Sequence, residues 1–334
     1  MNILVFCSSE AKLPEPTSIR LIAVDMDGTL LDDQGQVSRR NLAALQAAQA
    51  AGIEVVVATG RRHSYAMRVL RPLNLPHACT LVSSNGTVTR TMGCCHPGQE
   101  LVASQLIARS HLSHEAALWL CGHLDEFRDA LVLTFDRLGE DGDDTRGALV
   151  VEHLDELNAS IGRWMAANEP YIERVNPIEL ALEDSDAPIQ AMLCGTAERM
   201  RRAEARLLEH PGVVAVGHTP AALEPHHIIA LHRTEYPARD LSILDILPAG
   251  CSKGAALLSL AAAQGIPADQ ILAIGDNWND VSMLEVAGSA IVMGNAPEDL
   301  QALAGQRGWR IGPSNAQDGV AEAVEFALAV SAGH

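Results

Sequence analysis

No uninterrupted apolar run in this chain approaches the roughly 20 residues that a membrane-crossing helix needs. Even the stretch from Ile53 to Ala58 is stopped at once by Thr59, Gly60 and Arg61. No membrane partner is expected. Positive charge is also scarce: 24 lysines and arginines face 42 aspartates and glutamates, for a formal net charge of -18. Such a surface repels nucleic-acid phosphates where a binder would present a basic stripe, so nucleic acid is excluded as a partner. The seven cysteines are odd in number and contain no CxxC pair, which argues against both a disulfide framework and a zinc ribbon. Cys94, Cys95 and His96, with His111 and His114 further on, fit no zinc spacing. The opening residues MNILVFC lack the basic leader and long apolar centre of a secretory signal, so a cytoplasmic protein with reduced thiols is the expectation.

What the chain does have is apolar content. Its 334 residues are 48% hydrophobic and 20% charged, enough to bury a large core and better suited to two domains than to one. Residues 8–18, polar and Pro-containing, read as the end of a loose leader spanning 1–18. Buried strands are then expected at 21–27, 53–60 and 79–84, separated by helices at about 38–51 and 62–71. The same alternation returns late, with a helix at 252–264, a strand at 271–276, a further helix and strand, and a closing helix at 318–329. This is the pattern of an α/β fold, a doubly wound Rossmann-like parallel sheet covered by helices.

Between the two halves the pattern changes. Helices are expected at 113–126, 155–168 and 196–209, and strands at 130–135, 147–151, 189–194, 227–232 and 241–247. The middle therefore reads as an α+β domain inserted into the first, giving core segments at 19–90 and 249–334 around an insertion at 91–248. GEDGDD at 139–144 reads as a solvated acidic turn.

Four polar elements stand at the ends of predicted strands or helices. Asp25 and Asp27, in DMDGT, follow the first strand, where ligands of open α/β sheets gather. Two carboxylates two residues apart share a side of an ideal strand. One can act as a nucleophile while the other, its proton held by the like charge nearby, serves a leaving oxygen. Thr59 and Gly60, ahead of Arg61, offer a hydroxyl and a tight turn able to hold an anion. Lys253 opens a helix, where its ammonium adds to the field of the helix N-terminus. Asp276, Asn279 and Asp280, in GDNWND, follow the 271–276 strand, and hard carboxylate oxygens from two strand ends suit magnesium. Trp278 reads as a packing residue.

DMDGTL at 25–30, ATGR at 58–61, SKG at 252–254 and GDNWND at 275–280 resemble, in order, the four motifs of the haloacid dehalogenase superfamily. AGSAIVMGNAPEDL at 287–300 and DGVAEAV at 318–324 are similar to its Cof-type sugar-phosphatase branch. The resemblance implies a phosphatase acting on a small phosphorylated substrate, a sugar phosphate by that branch, with Mg2+ as cofactor. It implies that Asp25 attacks phosphorus and that Asp27 protonates the departing alcohol and then activates water. Thr59, Gly60, Lys253 and Asn279 would hold the phosphoryl group. Asp25, Asp276 and the backbone carbonyl of Asp27 would hold the metal, with Asp280 ordering its waters and Lys253. Only the interval from Thr59 to Lys253 is long enough for an inserted domain, which resembles the family's second-position (C2) cap. Arg61 and Asn85 could meet the substrate or hinge the cap, although Asn85-Gly86 also suits a plain turn. His226, His227 and Arg233 are polar residues of the cap, a class more often at the surface than at a ligand. A phosphomutase, a phospho-aspartate signalling module and a silent phosphate binder are the alternative readings.

Overall fold

The computed structural model describes residues 18–73, 75, 79–92, 104–183, 186–216 and 224–332. The leader up to residue 17, with Cys7, and the residues Cys94, Cys95 and His96 lie outside these. From the start, the chain forms β1 (Leu21–Asp25), α1 (Arg39–Ala50), β2 (Glu54–Ala58), α2 (His63–Leu70), β3 (Thr80–Ser83) and the antiparallel pair β4 (Val88–Thr91) and β5 (Leu106–Arg109). All five residues of β1 are buried, as a strand covered on both faces requires. Helix α1 begins where the Ser38 side chain accepts a hydrogen bond from the Asn41 amide, and Gly52 turns the chain at positive φ just beyond its end.

A second unit follows: α3 (His114–His123), β6 (Leu131–Thr134), β7 (Leu149–Val151), α4 (Asp155–Asn168), β8 (Ile172–Arg174), β9 (Gln190–Gly195), α5 (Ala197–Leu207), β10 (Val213–Ala215), β11 (Ile229–Tyr236) and β12 (Leu241–Pro248). The chain then returns through α6 (Lys253–Ala263), β13 (Ile271–Gly275), α7 (Val281–Val286), β14 (Ser289–Val292), α8 (Glu298–Arg307), β15 (Arg310–Ile311) and α9 (Gly319–Ala332). These elements build two sheets. The first has the order β15-β14-β13-β1-β2-β3-β4-β5, parallel from β15 to β3, and the second β10-β11-β12-β9-β6-β7-β8, largely antiparallel.

The first sheet is the doubly wound sheet that the periodicity predicted, with one apolar cluster on each face. Ile22 and Val24 of β1 enter one cluster and Leu21 and Ala23 the other. Strand order reverses between β1, which continues to β2 on one side, and β13, which pairs with it on the other. A crevice at the carboxyl ends of strands follows from that reversal. In the second sheet Leu131 and Leu133 face one cluster and Val132 the other, the alternation of a sheet with two buried sides.

Several elements were not legible beforehand. The first sheet continues past residue 90: Val88 pairs with Arg109 and Thr89 with Ala108, so it runs to residue 109. All four residues of β5 are exposed, so this edge strand carries no alternating pattern to read. The short strands β8, β10 and β15 and the helix α8 were likewise unforeseen. The acidic turn at 139–144 is not merely solvated. Asp144 is buried in an ion pair with Arg62, at the start of α2, and its amide donates to Ser64 Oγ at 2.5 Å. Asp143 meets Arg71 at 3.2 Å, and Arg62 also donates to Asn168 Oδ1 at 2.6 Å. Arg90 on β4 and Asp136 beyond β6 add a pair at 2.5 Å. The second unit is thus docked on the first by charge, at places set by α2 and β4.

Helix α6 lies directly on α7, and a Cβ at Gly254 would stand 2.1 Å from the Ser282 carbonyl oxygen. Gly305, on α8, faces open space. Gly254→Ala is expected to destabilise by about 1–3 kcal/mol through overpacking, and Gly305→Ala to stabilise by about 0.5–1 kcal/mol. Denaturant unfolding of the two variants measures both signs.

Candidate active site

Strand β1 ends at Asp25, which is 4% exposed, and the helix α6 brings Lys253 to it from behind. Lys253 is buried and donates to Asp25 Oδ1 at 2.5 Å and to Asp280 Oδ1 at 2.6 Å. Asp280 spends its other oxygen on the backbone amides of Asp276 and Asn277, at 2.9 and 3.0 Å. Asn277 in turn caps the short turn 278–280 with its side chain. GDNWND thus folds around one carboxylate, and Trp278 packs into the adjoining apolar cluster as expected of it. Asp276 accepts from Thr29 Oγ1 at 2.8 Å, and its Oδ2 stands where a Cβ at Gly28 would come within 2.3 Å. Only glycine leaves the backbone after DMD this close to that carboxylate.

Asp25, Asp276 and Asp280 offer oxygens that all lie within 4.8 Å of one another, and all three residues are buried. Burial first, and then the negative charge of Asp280, hold Asp25 well above the ordinary carboxylate range, while Lys253 pulls the other way. The same two causes push Asp276 up to about 7. Burial alone would depress the Lys253 ammonium, but the attraction of Asp25 and Asp280 outweighs it and raises its affinity for the proton. The three carboxyl groups gathered around one ammonium could hold a divalent cation. Asp25 and Asp276 each keep an oxygen outside the hydrogen bonds described above, and such hard donors fit magnesium. Asp280 has both oxygens engaged, which suits a residue that orders its neighbours rather than one that binds an ion directly.

Asp27 stands apart from this cluster. β1 ends two residues earlier, so the shared strand side expected of Asp25 and Asp27 does not form. The Asp27 side chain is 53% exposed and is held by Arg61, through Nε at 2.7 Å and through a second, shorter contact from Nη2. Its nearest charge is therefore positive, where the sequence suggested a negative one. Thr59 is buried at the end of β2, its hydroxyl accepting from the Arg61 amide at 3.1 Å. Asn85 adopts a left-handed conformation at φ 53° and joins two elements the sequence could not relate. It accepts from Asn279 Nδ2 at 3.3 Å and donates to Asp245 Oδ2 at 3.2 Å. The Asn85-Gly86 turn therefore also carries a side chain of the site.

A cleft of about 400 Å³ joins these groups, with Asp25, Asp27, Thr59, Gly60, Arg61, Asn85 and Asn279 along its floor. Its roof is the second sheet, through Thr134, Gln190, Thr234, Tyr236 and Asp245, together with Trp164 of α4. None of these roof residues was foreseen. Asp245 sits within LSILDILP, where strand alternation marks a face but not what the face meets. Burial pushes its carboxyl up to about 6, against the hydrogen bond from Asn85. Arg233, by contrast, points to the other side of β11 and pairs with Glu204 at 2.9 Å, while His226 and His227 lie against each other. None of the three lines the cleft.

Comparison with known proteins agrees with this arrangement. The chain is 28% identical over 306 residues to the chloroplastic endoribonuclease YBEY of Arabidopsis thaliana, covering 91% of this chain but only 45% of that protein. It is 30% identical over 297 residues to the phosphatase YwpJ of Bacillus subtilis, covering 86% of this chain and 93% of the relative. With the 5-amino-6-(5-phospho-D-ribitylamino)uracil phosphatase YwtE of B. subtilis the identity is 28%, over 93% and 98% of the two chains. A solved haloacid dehalogenase-like hydrolase from B. subtilis superposes with a TM-score of 0.67 at 26% identity, over 92% of this chain and 99% of the other. The family model for haloacid dehalogenase-like hydrolases matches residues 22–324, from β1 through both sheets into α9. With three of the four motifs lining one cleft between two sheets, the fourth reaching Asp25 through Lys253, and that match across nearly the whole fold, the chain belongs to the haloacid dehalogenase-like hydrolases.

Proposed function

We propose that this hydrolase is a magnesium-dependent phosphatase that cleaves a small phosphorylated metabolite through a phosphorylated Asp25. The observation that carries the reading is the buried Asp25, aligned by Lys253 at the floor of the cleft beside Asp276 and Asp280. Magnesium, held by Asp25, Asp276 and the Asp27 carbonyl, would supply positive charge to the phosphoryl oxygens and lower the repulsion between them and the carboxylates.

The remaining work falls to the chain's own residues. An Asp25 oxygen attacks phosphorus, the bond from phosphorus to the substrate oxygen breaks, and Asp27 gives that oxygen a proton. In the second step Asp27 takes a proton from water as the water oxygen attacks phosphorus. The bond between phosphorus and Asp25 then breaks, releasing inorganic phosphate. Because Asp27 rests on Arg61, it must turn from that guanidinium to reach the leaving oxygen. Thr59, Gly60, Lys253 and Asn279 supply donors to phosphoryl oxygens, and Lys253 favours the ionised form of Asp25 and aims it. The named phosphatases among the relatives support this reaction class. The second sheet, closed over the cleft, would exclude water and choose the leaving group. Arg61 and Asn85 line the same space and are the floor residues best placed to meet that group.

Phosphate release from a panel of sugar phosphates, nucleotides, pyridoxal phosphate and a chromogenic aryl phosphate tests the reading. Release is expected with magnesium, lost on chelation and regained when magnesium is returned. An isomerised ester without release would identify a mutase instead. Asp25→Asn should lower turnover by about three orders of magnitude or more, with the far-ultraviolet circular dichroism unchanged. Lys253→Met leaves Asp25 and Asp280 buried without their cation and should cost about 3–5 kcal/mol of stability, measured by denaturant unfolding, as well as turnover. Full activity in either variant would contradict the mechanism.

A further inference from the structure

Two acceptors on the second sheet have no task in handling phosphate. Gln190 on β9 lines the cleft at only 5% exposure, and its Oε1 is enclosed with no hydrogen-bond donor. Asp245 on β12 lines the same cleft and accepts from Asn85 through Oδ2. In the antiparallel pairing of β9 with β12, Asp245 stands opposite Met192, so Gln190 is its diagonal neighbour on that face, at a typical separation of about 7–8 Å. A buried acceptor without a donor is costly, and such groups in native proteins are satisfied by a partner. A phosphoryl group cannot be that partner, because its oxygens are themselves acceptors. A donor on the organic part of the substrate could meet it once the amide turns toward the cleft.

We propose that Gln190 and Asp245 are specificity-determining residues that recognise the leaving group. The substrate class that fits them is a phosphate monoester whose organic part carries at least two hydrogen-bond donors, as sugar hydroxyls or as ring N–H and amino groups. This rests on the phosphatase reading above, which anchors the phosphate at Asp25. Trp164 and Tyr236, also on the cleft wall, add aromatic surface for the body of such a group. Esters without donors would leave Gln190 Oε1 unmet and Asp245 with Asn85 alone, and sites built to meet a substrate donor discriminate strongly against analogues that lack it.

The test measures binding by calorimetry in the Asp25→Asn background with magnesium, so that it does not depend on turnover. The ligands are glucose 6-phosphate, cytidine monophosphate and the donor-poor phenyl phosphate. At least one of the first two should bind about 10-fold or more tightly than phenyl phosphate, and that preference should shrink to within about 3-fold in Gln190→Leu and in Asp245→Leu. Gln190→Glu, which keeps an acceptor oxygen, should retain it. Preference for the sugar phosphate assigns hydroxyl donors, and preference for the nucleotide assigns ring N–H or amino donors. No preference in the Asp25→Asn protein, or one that survives both leucine substitutions, overturns the proposal. A binding preference in Asp25→Asn, with the wild-type protein releasing no phosphate from any ester, would count against the phosphatase reading and leave the recognition site standing.

Discussion

Among the described residues, Lys253 is the only cation paired with the buried carboxylates at the head of the first sheet, and the geometry of the site depends on where it stands. Its ammonium bridges Asp25 and Asp280, which come from β1 and from the turn after β13. Neither carboxylate could be buried alone, since an unpaired charge in such surroundings costs several kcal/mol. The bridge therefore ties the last part of the chain to its first strand, while Asp280 draws the Asp276 and Asn277 amides into place. The carboxyl groups of Asp25, Asp276 and Asp280 lie close enough together that they could hold a metal ion.

The packing around that bridge is tight where it must be. Gly28 and Gly275 let backbone pass within a few ångströms of Asp276 and Asp280, and Gly254 lets α6 lie on α7 so that Lys253 points at β1. A side chain at any of these positions would move a carboxylate or the ammonium. Since charge interactions at this depth vary steeply with distance, small displacements would change which oxygens are free. The site is thus held mainly by backbone approach and by the two apolar faces of the sheet.

The second sheet meets the first through polar contacts as well as through the cleft. Arg62 with Asp144, Arg90 with Asp136, and Asn85 with Asp245 all cross from one unit to the other. Asn85 belongs to both systems, since it also accepts from Asn279 on the floor. A change in how the second sheet sits would therefore be felt at Asn279 on the cleft floor. The acidic turn at 139–144, which reads as solvent-facing in sequence, takes part in this docking because Arg62 and Arg71, at the two ends of α2, meet it.

From sequence alone, the chain's apolar periodicity determined the doubly wound sheet, and four short motifs located Asp25, Thr59, Lys253 and the 276–280 carboxylates. Such features are local: a buried strand or a helix start is written within a few neighbouring residues. The partner of Asp27 was not legible, because Arg61 reaches it only through the pairing of β1 with β2. Nor was the roof, since Gln190 and Asp245 alternate in their strands like any other residue and acquire meaning only when that face closes over Asp25. Edge strands such as β5 were silent because an exposed strand buries nothing and so imposes no pattern. The tertiary structure alone decided which acceptors face the cleft and how the two sheets dock, because both depend on distances between segments that no local pattern encodes.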